Sequence, residues 1–556
     1  MTTLIQNWRD AGLEPFHAHL AQHLCRMAGE GDPSVRLAVA LTSHFLSEGH
    51  TCFDLRRPLV SLLGTRVTAL LSPPNTDAWL ARLGESALVQ RPRDAQRRPL
   101  VLDAHGRLYL QRYHAAQEAL ADQLRRMGDK LHIVSGGPGS GKTTQIARQL
   151  LHWIERWQPA QHPLQLPSPR ILALAPTGKA ASRLKESLDA ARSGHNPATR
   201  DAPPGLRALL PSDTATVHRA LGLNPLRPER IFRHADNPLN ADIVVVDECS
   251  MVDLLTMLRL LEALAPDTRL LLVGDRHQLS SVEAGAVFGD ICLAALQSGE
   301  AFAHAEELVQ QFRFSKTSVI AALARCIKAG DAPGALAVLH AAPPEEVRWV
   351  SPRAPRDWHA LVDDAVGVYA GLAAVDPLQA LAVLDEQRLL TPLREGPLSV
   401  ASLNQYVARR LLARGALGDV RGMYPGRPVM VVANDYATQL FNGDTGVVHR
   451  GEDGHVRAVF AADEAGAVRA VSLGQMPAHE TVYAMTVHKS QGSEMNHVLL
   501  LLPETDNRLL SRELLYTAVT RARQRLTLYA DAATIAACIQ NEQRRMSGLV
   551  DALVAP

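Results

Sequence analysis

The octapeptide Gly136-Gly137-Pro138-Gly139-Ser140-Gly141-Lys142-Thr143 constrains this chain more than any other stretch. It follows a short apolar run, Leu131–Val134, and precedes a segment with helical periodicity. Glycines at these intervals let backbone N–H groups converge on phosphate oxygens. A helix opening at the last glycine adds its partial positive charge. Lys142 neutralises the outer phosphates, and the hydroxyl of Thr143, next to Thr144, can ligate Mg²⁺. A strand–loop–helix unit of this kind implies a mostly parallel sheet with helices on both faces.

Further strands follow at the expected intervals, at Ile171–Ala175, Asp242–Val246 and Arg269–Val273. The third ends in Asp247-Glu248, two carboxylates where open α/β sheets gather their chemistry. Asp247 is the expected metal partner, and Glu248 the base that orients and deprotonates an attacking water. The fourth strand runs into Gly274-Asp275-Arg276-His277-Gln278, which puts Gln278 in position to sense the γ-phosphate. His277 reads either as a switchable group or as a solvated loop residue. No guanine-reading NKxD is found.

Domain signals divide the rest. Residues 1–115 show helical periodicity over His17–Met27 and Val35–Ser47 and carry no catalytic pattern. The arginine-rich stretch 91–112 reads as a solvated linker or as a docking or DNA-facing surface. Prolines 159, 163, 167 and 169 mark a surface loop, and prolines 343, 344, 352 and 355 mark a boundary. Short β-rich runs over 427–473 suggest a small inserted β-barrel, and parallel-sheet signals return at Tyr483–Val487, His497–Leu501 and Arg525–Tyr529. Lys and Arg number 58 against 57 Asp and Glu, so nucleic acid can be met only by local patches of charge. Six cysteines without a CxxC pair argue against a zinc site or a disulfide framework. A soluble, cytoplasmic protein is expected, since apolar runs are far short of the ~20 residues a bilayer needs.

Motifs in the second half resemble those of superfamily 1 helicases. Val482–Glu494, with Thr486, His488, Gly492 and Glu494, resembles motif V, and Leu515–Arg523, with Arg521, resembles motif VI. Ala175–Ala181, with Thr177, resembles motif Ia; Thr214–Arg219, with Thr216 and His218, resembles the next DNA-side motif; Leu308–Phe314, with Arg313, resembles motif IV. Leu390–Pro397, Asn434–Tyr436, Leu440–Asp444 and Gly274–Gly285 look like the RecD family, subunits of RecBCD (exodeoxyribonuclease V). The resemblance covers about 105 to 556.

It implies two RecA-like P-loop domains, at 116–345 and 346–556, with an SH3-like barrel inserted at about 415–480 and a mainly helical N-terminal domain that docks partners. It also implies an ATP- and Mg²⁺-dependent 5′→3′ DNA helicase working beside RecB and RecC in double-strand break repair. Gly136 to Thr144, Gln117, Gly492 and Glu494 would line the nucleotide. Lys142, Asp247, Glu248, Gln278, Arg313 and Arg521 would carry catalysis, with Thr143 and Asp247 on the metal. Thr177, Thr216, His218, Thr486 and His488 would hold the DNA strand, although each could instead be a cap or turn residue. Two positions depart from the pattern: His277 stands where Asp is expected, and Cys249 where Ala is. A segment at Arg227–Pro238 could be a strand-separating hairpin, and Phe312, Phe314 and Phe441 could stack on bases or pack in the core. Two other readings remain: a stand-alone RecD-like helicase, and a nucleotide-gated scaffold whose motor has decayed.

Overall fold

Four consecutive β-branched residues, Ile243 to Val246, form a strand buried on both faces, which requires a sheet covered on both sides. The computed structural model describes residues 8–91, 94, 96–157, 168–223, 232–299, 302–308, 318–354, 357–418, 420–435, 437–462, 467–504 and 509–554. The proline-marked loop at 159–167, residues 227–231 of the candidate hairpin, Phe312, Arg313, Phe314 and Tyr436 lie outside the described residues.

The N-terminal region carries helices Pro15–Met27, Pro33–Ser47 and Thr76–Glu85, together with a small sheet. Its strands are β1 (Phe53–Asp54), β2 (Val89–Gln90), β3 (Leu100–Leu102) and β4 (Arg107–Leu110), in the order β1-β4-β3-β2. Over residues 100–110 the stretch is therefore not a solvated linker, because β3 is wholly buried and β4 nearly so. Arg107 is itself buried between Asp103 at 2.7 Å and Asp551 at 2.6 Å. Flanking arginines hid two apolar triplets too short to stand out.

The first large sheet contains β5 (Leu131–Gly136), β6 (Ile171–Ala175), β7 (Thr214–Thr216), β8 (Ile243–Val246), β9 (Arg269–Gly274) and β10 (His304–Leu308). Their order is β10-β5-β9-β8-β6-β7, all parallel. Alternation divides each central strand between two cores. Val244, Val246, Leu270 and Leu272 pack on one face, and Ile243, Val245, Leu271 and Val273 on the other. Each such side chain contributes about 1.5–3 kcal/mol on leaving water.

The second sheet starts with β11 (Val347–Val350) and β12 (Gln387–Thr391). Five antiparallel strands then intervene: β13 (Pro428–Val431), β14 (Thr445–Arg450), β15 (Val456–Ala461), β16 (Val468–Ser472) and β17 (His479–Thr481), in the order β16-β15-β14-β13-β17. The second sheet resumes with β18 (Ala484–Thr486), β19 (Met495–Leu501) and β20 (Ala522–Tyr529), giving the parallel order β11-β20-β19-β12-β18.

Two connections depart from a division at 345. Helices Val319–Ala329 and Ala332–Ala341 place Ile320, Leu323 and Ala335 in the same core as Leu390, Val498 and Leu500, so the chain enters the second lobe before Val319. At the other end, helix Leu549–Val554 returns to the first lobe and buries Leu549 and Leu553 beside Leu120 and Ile133. Among the described residues no helix is long and apolar enough to cross a membrane. The six cysteines are free, and no His/Cys/Asp/Glu group suited to a metal ion is found among the described residues.

Candidate nucleotide site and inter-lobe cleft

The loop after β5 turns on Gly139 (φ 74°) and Gly141 (φ 85°), left-handed conformations that a side chain would strain. Gly141 leads directly into helix Lys142–Glu155, which has no side-chain cap at its N-terminus. Its first-turn N–H groups are thus available to an anion. Lys142 Nζ donates to the carbonyls of Gly136 (2.7 Å) and Gly137 (3.3 Å), which holds the ammonium over the loop. At the end of β8, Asp247 Oδ1 accepts from Glu248 N–H at 2.8 Å, and Glu248 adopts the left-handed region (φ 52°). A non-glycine residue there stores strain, which often accompanies a functional constraint. Burial, helped by neighbouring Glu248, raises the Asp247 carboxyl to about 6, with Lys142 opposing.

These groups share one cleft of about 470 Å³. From the first lobe it is lined by Gly137, Pro138, Gly139, Gly141, Lys142, Thr143, Thr144, Asp247, Glu248 and Gln278; from the second by Gly492, Glu494, Arg521 and Arg523. Gly136 and Ser140 are buried within the loop and are not among the lining residues. The first lobe contributes the carboxyl ends of β5, β8 and β9, whereas Glu494 and Arg521 immediately precede β19 and β20. Arg521 is almost wholly buried, its guanidinium donating to Thr517 O (3.2 Å) and Ser493 O (3.1 Å). Glu494 accepts from Arg523 at 3.1 Å.

Contacts across the cleft tie the lobes together. Tyr516 donates to Asp275 Oδ2 (3.1 Å), Leu279 N–H to Thr517 Oγ1 (2.9 Å), and Gln491 Nε2 to Leu279 O (2.7 Å). Gln278 Nε2 donates to the same Asp275 carboxylate at 3.2 Å. Glu307, at the end of β10, accepts from Arg276 (3.0 Å) in the first lobe and Lys328 (3.1 Å) in the second. Lys179 lies 3.9 Å from Asp385 across the lobes, and Phe441 of the inserted sheet lies against Gly178.

The residues expected on DNA stand on the carboxyl edges of both sheets. Thr177 follows β6, Thr216 ends β7 and Thr486 ends β18. Each hydroxyl accepts a backbone N–H at 3.2 Å, from Ala180, Arg219 and Lys489 respectively, so all three act as caps. His218 is exposed and His488 half-buried. Thr486 also lines a second cleft of about 760 Å³ with Arg394, Arg409, Arg427 and Lys489. Within the described part of the candidate hairpin, Arg233 stacks over Phe232 at 5.2 Å and bonds Asn237 and Pro238.

Two expectations change, at Gln117 and His277, while Cys249 is the small buried residue expected after the strand. Gln117 is buried away from the cleft, where its Oε1 accepts from Gly548 N–H at 3.0 Å; it anchors the returning C-terminal segment, a long-range partner that leaves no local signal. His277 does not behave as a switch near neutral pH, because burial first, then Lys328, lowers it to about 4. Cys249 is a small buried residue after β8, with its thiol pushed far up by burial. Sequence reasoning missed Arg183 and Arg523, which both line the cleft. A signal for Arg183 existed: Ala180, Arg183, Leu184 and Ser187 follow i, i+3, i+4, i+7 along helix Gly178–Arg192, and all four face the cleft.

Three family models match the chain. The family model described as RecBCD enzyme subunit RecD, N-terminal domain, matches residues 9–109; an AAA domain model matches 112–349, and a UvrD-like helicase C-terminal domain model matches 481–529. The chain is 40% identical to the RecBCD enzyme subunit RecD of Mycolicibacterium smegmatis, over 97% of each chain. It is 32% identical to the ATP-dependent RecD2 DNA helicase of Deinococcus radiodurans, over 77% of this chain and 51% of that one. A crystal structure of Bacteroides Pif1 bound to single-stranded DNA is similar at a TM-score of 0.37 and 16% identity, over 75% of this chain and 93% of that one.

Proposed function

Because the chain belongs to the RecD family of RecBCD enzyme subunits, an ATP-dependent DNA helicase family, we propose that it moves 5′→3′ along one strand of a broken duplex end beside RecB and RecC in the cytoplasm. The observation that carries the motor reading is the composite cleft, with Lys142, Asp247 and Glu248 on one lobe and Arg521 on the other. The polarity is the one that the RecD resemblance implies.

In this reading the loop of Gly136 to Thr144 and the helix start behind it cradle the β- and γ-phosphates, while Lys142 neutralises them. Glu248 takes the proton of the attacking water, and Gln278 registers the terminal phosphate. Arg521 gains charge-assisted bonds to that phosphate only when the lobes are shut, so filling the cleft favours closure and product loss favours opening. Arg313 is expected to join it from the segment before Val319. The donor set fits Mg²⁺: a hydroxyl from Thr143 and a half-buried carboxylate, Asp247, whose ionised form a divalent charge would favour. Such an ion would neutralise charge on the phosphates.

Cycles of closure move one DNA grip relative to the other if a strand lies across both carboxyl edges, near Thr177, Thr216, His218, Thr486 and His488. Backbone contacts of this kind make binding independent of base sequence. The five-stranded antiparallel insert is read as an SH3-like barrel that closes over the strand, and the N-terminal region as the docking domain for the partner subunits. Arg313 apart, the catalytic groups named for the motor share one cleft, which argues against a decayed motor.

The test is unwinding by the purified chain of duplexes with a 5′ or a 3′ single-stranded tail. Preference for the 5′ tail is expected, and preference for the 3′ tail overturns the polarity. Lys142→Gln is expected to abolish DNA-stimulated ATP hydrolysis while leaving assembly with the partners intact. Full activity in that variant removes the assigned site.

A further inference from the structure

Three stretches far apart in sequence close on the guanidinium of Arg545. One is the loop behind Gln278: Arg545 Nη2 donates to Ser281 O at 2.5 Å, and Nη1 donates to Glu283 O at 2.8 Å and Gly285 O at 3.1 Å. The second is the turn at Gly49, whose carbonyl accepts from Gly285 N–H at 2.9 Å. The third is the C-terminal segment itself. There Met546 N–H donates to His50 Nδ1 at 2.7 Å, and Met546 O accepts from Thr51 N–H at 3.0 Å. Asp290, pushed up to about 7 by burial, faces Arg545 and Asp551 and bonds Ser547. Burial lowers Arg545 to about 10, so it keeps its charge at neutral pH.

The other end of the loop belongs to the second lobe, through Leu279, Thr517 and Gln491. Residues 279–285 therefore span from the second lobe at Leu279 to the Arg545 clamp. A planar fork suits this anchor, because its N–H groups diverge towards several carbonyls at once.

We propose that Arg545 is a positioning residue for ATP hydrolysis: by clamping Ser281, Glu283 and Gly285 it holds Gln278 in register with the cleft. This rests on the reading of Gln278 as the phosphate sensor.

Steady-state ATP hydrolysis by the full chain, with and without single-stranded DNA, tests it. In Arg545→Ala the DNA-stimulated kcat is expected to fall about 10–100-fold with KM for ATP within about twofold, since misplacement by an ångström costs rate more than binding. Added guanidinium ion should restore part of that loss. Retained kcat overturns the proposal; so does a joint change of kcat, KM and melting temperature that guanidinium does not reverse. Gly49→Ala keeps Arg545 but pushes it aside, because a Cβ there would lie 2.6 Å from its Cζ. It should reproduce the kcat loss and decides the matter if Arg545→Ala does not fold; a wild-type kcat in it overturns the proposal. Gln278→Ala separates the two ideas. If it retains stimulation, the sensor reading fails; if it is inactive while Arg545→Ala is normal, the proposal alone fails.

Discussion

Tyr516 donates its phenolic hydrogen to Asp275 Oδ2 at 3.1 Å, joining the helix that leads to Arg521 with the turn that carries Gln278. Both groups are buried, and Asp275 also accepts from Gln278 Nε2 and His277 N–H. One carboxylate thus joins Gln278 of the first lobe to the helix that leads to Arg521 in the second.

Tyr516→Phe removes one of those bonds and little volume. Stability should fall by about 1–3 kcal/mol, as for other hydrogen bonds to a buried charge. DNA-stimulated kcat should fall while KM for ATP holds, because Tyr516 is not among the residues lining the cleft. Thermal melts and steady-state kinetics read both, and an unchanged kcat would break the link between the lobes.

Arg521→Ala should lower kcat by about 10³-fold, the scale of an arginine that meets transferring phosphate. Nucleotide binding, followed with a fluorescent ATP analogue, should survive through Lys142 and the loop. Arg521→Lys keeps the charge but loses the fork that reaches Thr517 O and Ser493 O, and should recover little.

Asp247→Asn should stabilise the free protein while abolishing hydrolysis. The folded carboxyl is raised to about 6 from 3.8, so the native state binds the proton more tightly than the unfolded chain does. Its contribution to stability is present below about pH 4 and lost as pH rises through 6. At pH 7.5 the substitution removes a half-buried charge that stands beside Glu248, and stability rises. Denaturant melts at pH 7.5 and 5 should show that gain shrinking at the lower pH; a loss at pH 7.5 refutes the assignment.

His277→Asn tests the opposite sign. Burial holds this imidazole at about 4, below its usual 6.5, so its contribution is full above pH 6.5 and lost as pH falls towards 4. The variant should flatten the acid side of the stability profile and leave the pH dependence of hydrolysis between 6.5 and 8 unchanged. A moved hydrolysis profile in that range would give His277 a catalytic titration.

The legible strands were the apolar ones, the central strands and the wholly buried edge strand β18. β8 and β9 are covered on both faces, so their sequences are continuous apolar runs. β10 (His304–Leu308), β7 (Thr214–Thr216) and β11 (Val347–Val350) went unread, and all three are edge strands. An edge strand is covered less and carries polar side chains, such as Glu306 and Glu307, that erase the apolar signal. Candidate-site residues divide in the same way. Lys142, Asp247, Glu248 and Gln278 sit at strand ends that local pattern locates, whereas Arg183 is visible only once its helix is known to face the cleft.

By itself the sequence located the candidate chemistry: a glycine-rich loop of phosphate-binding pattern, a carboxylate pair after a strand, and Arg521 on a second helicase-like half. Those assignments depend on spacing within a few residues, which backbone geometry translates directly into placement. Only the tertiary structure decided that Gln117 belongs to a C-terminal anchor, that helices Val319–Ala341 join the second lobe, and that Arg545 clamps the loop behind Gln278. Each of these joins residues tens to hundreds of positions apart, and contacts formed across that separation by packing leave no period in the chain.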